Sequence, residues 1–170
     1  MTTGAECADA MVAGLRAGGV NVAICVPDSV VRPIDLRLEA DPRVSRFVAS
    51  REDEGVAMAV GAYLGGKVPV VMMEGSGLGY CGLILARAQI QRTPTLLLVG
   101  HNRVFGEAFD YHAATRLAAE GVLRGLDVPH HVLTERGSAG ELARQAVTTM
   151  LGQKTSVALL LPPFLLQDPR

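Results

Sequence analysis

Residues 68–100 read VPVVMMEGSGLGYCGLILARAQIQRTPTLLLVG, and the reading of this stretch decides the fold. VPVVMM (68–73) and TPTLLLVG (93–100) are apolar on successive residues, as expected of parallel strands covered on both faces. Between them lie a glycine-rich turn, EGSGLGYCG (74–82), and a helical pattern that AQIQR (88–92) closes. Strand, turn, helix and strand in this order make a crossover unit of a parallel sheet. Working outward, NVAICVP (21–27) and SRFVAS (45–50) precede the unit, while HHVLT (130–134) and SVALLLP (156–162) follow it. Helical patterns separate most of these runs. Thr3 and Glu6 form a capping box ahead of Ala8, Met11, Val12 and Leu15, and Gly18 and Gly19 stop that helix. Ser138 and Glu141 have the same spacing ahead of Leu142, Ala143, Ala146, Val147 and Met150. The expectation is an α/β fold: a three-layer α/β/α sandwich around a six-stranded, mostly parallel sheet, with residues 1–170 as one domain.

Composition narrows the function classes. The chain has 170 residues and a formal net charge of -1, with 49% hydrophobic but only 4% aromatic residues. Near-zero charge without a basic run argues against nucleic acid and against an anionic membrane surface. Glu6, Asp9 and Arg16 spoil any signal-peptide reading of the first twenty residues, and no apolar run reaches the roughly 18 residues of a membrane span. A cytoplasmic protein is expected. Cys7, Cys25 and Cys81 lack CxxC spacing and read as reduced core residues. His101, His112, His130 and His131 show no metal-ligand spacing.

Residues 50–55, SREDEG, set three carboxylates against VAMAVGAYLGG (56–66), an uncharged helical stretch. Ser50 and Asp53 can form an S-x-x-D capping box, and acidic residues suit a first helical turn. With Val56 taken as zero on a helical wheel, Val56, Ala59, Val60, Tyr63 and Leu64 form the buried stripe. Glu52 then lies at about -40° and Asp53 at about +60°, both flanking the stripe, whereas Glu54 at about 160° faces solvent. Capping accounts for one flanking carboxylate and leaves the other for a ligand, such as a ring nitrogen.

The run REDEGVAMAVGAYLGGKVPVVMMEGSGLG (51–79) resembles the pyrimidine-binding domain of thiamine-diphosphate-dependent enzymes, most of all the phosphonopyruvate and sulfopyruvate decarboxylase group. VPDSVVRP (26–33) is similar to that group's first strand-to-helix loop, and SGLG (76–79) to its third. The resemblance implies a role in binding the cofactor's aminopyrimidine. In the family one carboxylate, normally Glu, bonds N1′ of that ring and favours the tautomer that takes the proton from thiazolium C2. Counting back from GAY (61–63), that position falls on Asp53, with Glu52 as its possible substitute. Asp is one methylene shorter, and an error of about 1 Å in such a contact can cost roughly a hundredfold in rate. Ser76 and Gly77 would sit by the aminopyrimidine, and Asp28 and Ser29 on the substrate side. An amide shortly before SGLG and Asn after it are the group's pattern; Glu74, Gly75 and Tyr80 stand here instead. A phosphonate or sulfonate calls for cationic donors, for which Arg51, Arg103 and His112 are the candidates.

Thiamine diphosphate in this family is shared between two domains, the second carrying a GDG motif that binds Mg2+ and the diphosphate. GDG does not occur in this chain. The expectation is therefore an α-type subunit of a split 2-oxoacid decarboxylase, inactive alone. A β-type partner would supply Mg2+ and the diphosphate site, and a homo-oligomer would form within the larger assembly. Two rivals remain: a catalytically silent scaffold or regulatory paralogue, suggested by Asp53, and a nucleotide-binding module. Gly77, Gly79 and Gly82 satisfy GxGxxG, but after the third strand rather than the first, and no acidic residue ends the next strand.

Overall fold

The structure is a computed structural model that describes residues 2–102 and 109–168. All six expected strands form, five of them shorter than their apolar runs and β3 shifted by one residue: β1 (Val22–Cys25), β2 (Ser45–Val48), β3 (Pro69–Glu74), β4 (Leu96–Gly100), β5 (His130–Val132) and β6 (Val157–Leu161). They make a single sheet in the order β2-β1-β3-β4-β6-β5. Every pairing is parallel.

Alternation along the strands divides the core in two. Ala23, Cys25, Val70, Met72, Leu96, Leu98, Leu159 and Leu161 face a layer made by α1 (Gly4–Ala17), α2 (Arg32–Glu39), α6 (Ala139–Gln153) and α7 (Pro163–Leu166). Val22, Ile24, Val71, Met73, Leu97, Val99, Ala158 and Leu160 face the other layer. That layer comprises α3 (Glu52–Leu64), α4 (Gly82–Gln91) and α5 (Ala113–Gly125). β3 and β4 are buried along nearly their whole length, which is why their sequences show no polar alternation. Edge strand β2 is largely exposed instead.

Local signals hold in part. The Thr3–Glu6 capping box is present in full, and Gly18 caps α1 before Gly19 takes φ +94°. The other two boxes do not form. Ser138 donates its hydroxyl to the Glu135 carbonyl, and α6 has no side-chain cap. At α3 the N-cap is Arg51, also without a side-chain cap, and Glu54 accepts the Ser50 backbone N–H at 2.8 Å. The S-x-x-D spacing predicted a bond that the backbone geometry here gives to Glu54 instead. The buried stripe of α3 is also shorter than predicted: Val56 and Ala59 are buried, Val60 and Tyr63 are half-buried, and Leu64 is exposed.

Chain order reverses about β1, which lies between β2 and β3. In open α/β sheets, the carboxyl ends of strands flanking such a reversal leave a crevice where ligands bind. Here that crevice holds the β1–α2 loop, the end of β3 and Asn102 just after β4.

Candidate functional site

Two groups of residues meet at the carboxyl edge of the sheet. The first lies where the N-terminus of α3 abuts the 3-10 turn Gly77–Cys81. Glu52 points inward. A Cβ added to Gly77 would stand 2.0 Å from the Glu52 Cδ, so only glycine permits this approach. Burial pushes the neighbouring Cys81 thiol up to about 12, with the charges of Glu52 and then Asp53 adding to the effect. Asp53 is half-buried and faces Arg51, which binds both its oxygens at 2.9 and 3.0 Å. The Arg51 guanidinium also lies 5.5 Å from the Tyr80 ring centroid. Its hydrogen bonds hold the Asp53 carboxyl below the usual carboxylate range.

The second group lines a cavity of about 440 Å3. Its walls include Asp28 and Ser29 after β1, Glu74 at the end of β3, Asn102 after β4, Phe109, Tyr111 and His112 before α5, and Gln167 from the C-terminal segment. Asp28 Oδ1 accepts the Val30 and Val31 backbone N–H groups at 3.0 and 3.1 Å, which fixes the carboxyl over the turn that leads into α2. Gly100 leaves room for it: a Cβ there would be 2.9 Å from Oδ1. Burial raises the proton affinity of Asp28; the Val31 and Val30 N–H groups oppose this, and the charge of Glu74 adds to it. Glu74 accepts hydrogen bonds from the Ser76 hydroxyl at 2.8 Å and from the Thr115 hydroxyl at 3.0 Å. Ser76 thus links the two groups.

The residues anticipated from sequence therefore separate into two sets. Glu52, Asp53, Ser76 and Gly77 gather at the head of α3, and Asp28, Ser29 and His112 gather in the cavity. Arg103 lies outside the described residues. Glu74 was legible only as a departure from a motif; an acidic side chain ending a buried apolar strand was the signal that it faces a site. Gln167 carried no signal, because it reaches the cavity from the far end of the chain. Among the described residues, no group of three or more His, Cys, Asp or Glu side chains is placed to hold a metal ion. The residues present suit a heteroaromatic ring, with glycine for close approach and carboxylates as acceptors, rather than a diphosphate with its metal.

Comparison with known proteins identifies the family. The family described as "Thiamine pyrophosphate enzyme, N-terminal TPP binding domain" matches residues 5–122. The chain is 28% identical to the sulfopyruvate decarboxylase subunit alpha of Methanothermobacter thermautotrophicus, over 92% of this chain and 95% of that one. It is 38% identical to the phosphonopyruvate decarboxylase of Streptomyces viridochromogenes over 69 residues, which are 41% of this chain and only 17% of the relative. A solved 2-oxoglutarate:ferredoxin oxidoreductase from Magnetococcus marinus shares the fold, with a TM-score of 0.73 at 18% identity, covering 94% of this chain and 29% of that one. The chain belongs to the thiamine pyrophosphate enzyme family, as an N-terminal, pyrimidine-binding type of domain.

Proposed function

We propose that this chain is the pyrimidine-binding, α-type subunit of a split thiamine-diphosphate-dependent 2-oxoacid decarboxylase, folded as one domain and working in the cytoplasm. Its substrate would be an acid such as sulfopyruvate or phosphonopyruvate, the acids named in its relatives. One juxtaposition carries the proposal: the helix with carboxylates at its head continues as an uncharged surface helix. Residues 55–66 carry no charge, and Leu64 is 70% exposed. Nearby, Tyr80, Leu83 and Ile90 are 68%, 69% and 84% exposed. Apolar residues at this density on one face mark a protein interface. A site at the edge of such a face is completed by whatever covers it. The proposed cover is a β-type subunit that holds Mg2+ and the diphosphate, with a second copy of this chain elsewhere in the assembly.

When bound, thiamine diphosphate supplies the nucleophilic carbon and the electron sink for loss of CO2. This chain's residues prepare the pyrimidine side. An ionised carboxyl has about four acceptor positions. Two Arg51 bonds and the Glu54 N–H take three at Asp53, which leaves one for N1′ of the ring. Arg51 keeps Asp53 ionised and so able to accept. Ser76 and Gly77 would receive the ring's face, and Asp28, Ser29, Arg103 and His112 would bind the 2-oxoacid. Glu52 on Gly77 argues against the nucleotide module, because a phosphate on the glycine turn would meet a carboxylate. The Arg51–Asp53 pairing is the feature that favours a silent scaffold.

Mixing the chain with a GDG-containing partner, thiamine diphosphate and Mg2+ decides between these readings. The proposal expects negligible cofactor affinity for the chain alone, and CO2 release from a 2-oxoacid once the partner is present. Asp53→Ala should abolish turnover while Glu52→Ala retains it. A complex that binds cofactor and turns over no 2-oxoacid would establish the scaffold.

A further inference from the structure

We propose that Asn102 and Gln167 are the amides that position the 2-oxoacid, Asn102 inside the cavity and Gln167 at its mouth. The identity of the substrate rests on the function proposed above; the site does not. Both residues line the cavity of about 440 Å3, yet they differ in exposure. Asn102 is 6% exposed, whereas Gln167 is open to solvent. Among the described residues, none hydrogen-bonds the Asn102 side chain. A buried amide left in that state is costly, so its partner has to come from the cavity. Gln167 Nε2 donates to the Ser29 carbonyl at a long 3.4 Å. Among the described residues, its second N–H and its side-chain oxygen have no partner.

The cavity's two carboxyls are engaged in its wall. Asp28 Oδ1 takes the Val30 and Val31 N–H groups, and Glu74 pairs with the Ser76 and Thr115 hydroxyls. The amides therefore bring uncharged N–H donors, which the oxygens of a 2-oxoacid require. Both are held through the backbone. One residue before Asn102, the His101 N–H donates to the Leu161 carbonyl at 2.9 Å and extends the β4–β6 ladder. Gln167 lies in a segment fastened by Arg136, whose guanidinium reaches the carbonyls of Thr2, Phe164 and Gln167 and the Asp168 carboxylate. Asp168 in turn accepts the Gly4 N–H at 2.9 Å, and Leu165 and Leu166 are buried. Each N–H of Arg136 is thus engaged on the chain itself. Arg136 is a positioning residue that acts through Gln167 rather than on a ligand.

Two measurements test this. In the reconstituted complex, Asn102→Ala and Gln167→Ala should each raise KM for sulfopyruvate about tenfold and leave kcat within about threefold, as expected of donors that bind substrate and transition state alike. An equal rise for pyruvate places the amides on the carboxylate that both acids carry; a rise for sulfopyruvate alone places them on the sulfonate. Arg136→Gln should raise KM as Gln167→Ala does, and the double variant should add nothing, because both remove one contact. In the full-length chain alone, sulfopyruvate should shift the side-chain amide NMR signals of Asn102 and Gln167, each identified by its loss in the Ala variant. If Asn102→Ala does not fold, Asn102→Ser serves. A complex that decarboxylates sulfopyruvate with KM unchanged in both Ala variants overturns the proposal and leaves the assigned function standing. Amide signals that ignore sulfopyruvate overturn it as well. If those signals shift and no partner yields decarboxylation, the assigned function fails and the amide site stands.

Discussion

Replacing Arg46 with Met tests whether the crevice depends on a single buried ion pair. Asp35, on the inner face of α2, is 3% exposed, and Arg46 on edge strand β2 binds both of its oxygens at 3.0 and 2.7 Å. Arg46 also reaches the exposed Glu39 at 3.2 Å, a bond of small weight at the surface. Arg46→Met keeps the apolar stem and strands Asp35 without its partner. Removing one member of a buried pair costs about 3–5 kcal/mol, because the other charge remains uncompensated. Arg46 is itself partly exposed, which sets the expectation at the low end, about 3 kcal/mol. For a domain of this size that corresponds to a fall in Tm of about 6–12 °C. Adding Asp35→Asn should recover at least half of it. Urea and thermal unfolding followed by circular dichroism at pH 7 measure all of this. A loss below about 1 kcal/mol would refute the reasoning. Because α2 follows directly on the Asp28 loop, the same variant should also loosen the cavity.

Three further outcomes are expected. Leu64→Glu with Ile90→Glu should change the isolated chain's stability by no more than about 0.5 kcal/mol each, as for exposed positions, yet abolish co-purification with a β-type partner. Arg51→Ala should raise the Asp53 carboxyl midpoint toward its ordinary value in an NMR titration, because the guanidinium is the main cause of its depression. In the wild-type chain, that contribution should vanish as pH falls through the folded-state midpoint of Asp53. Cys7, Cys25 and Cys81 are buried and free, and the Cys25 and Cys81 thiols are pushed up to about 12. A thiol reagent should therefore label none of them in the native chain at pH 8 and all three in denaturant.

The fold was largely legible because local and tertiary preferences agree. Apolar runs such as VVMM and LLLV have no other stable place than the middle of a sheet covered on both faces. Capping was less legible. Thr3 and Glu6 pair as their spacing predicts even though the C-terminal segment packs on that helix end, whereas at α3 Arg51 rather than Ser50 stands at the N-cap. Leu64 fits the helical period of the α3 core stripe but lies beyond the reach of the sheet, so it emerges into solvent. The split between Glu52 and Asp53 followed from helical geometry only as two flanks of one stripe. Which flank meets Gly77 and which meets Arg51 depends on where the Gly77–Cys81 turn packs, and no spacing within 50–55 encodes that.

Sequence by itself determined the layer order, the parallel sheet and the place of the glycine turn, because each follows from residues near one another in the chain. Only the tertiary structure brought Asp28, Glu74, His112 and Gln167 around one cavity, since they lie on segments separated by up to 139 positions. Proton affinity and charge selection depend on distances across that cavity. Folding sets those distances by packing one strand end against another.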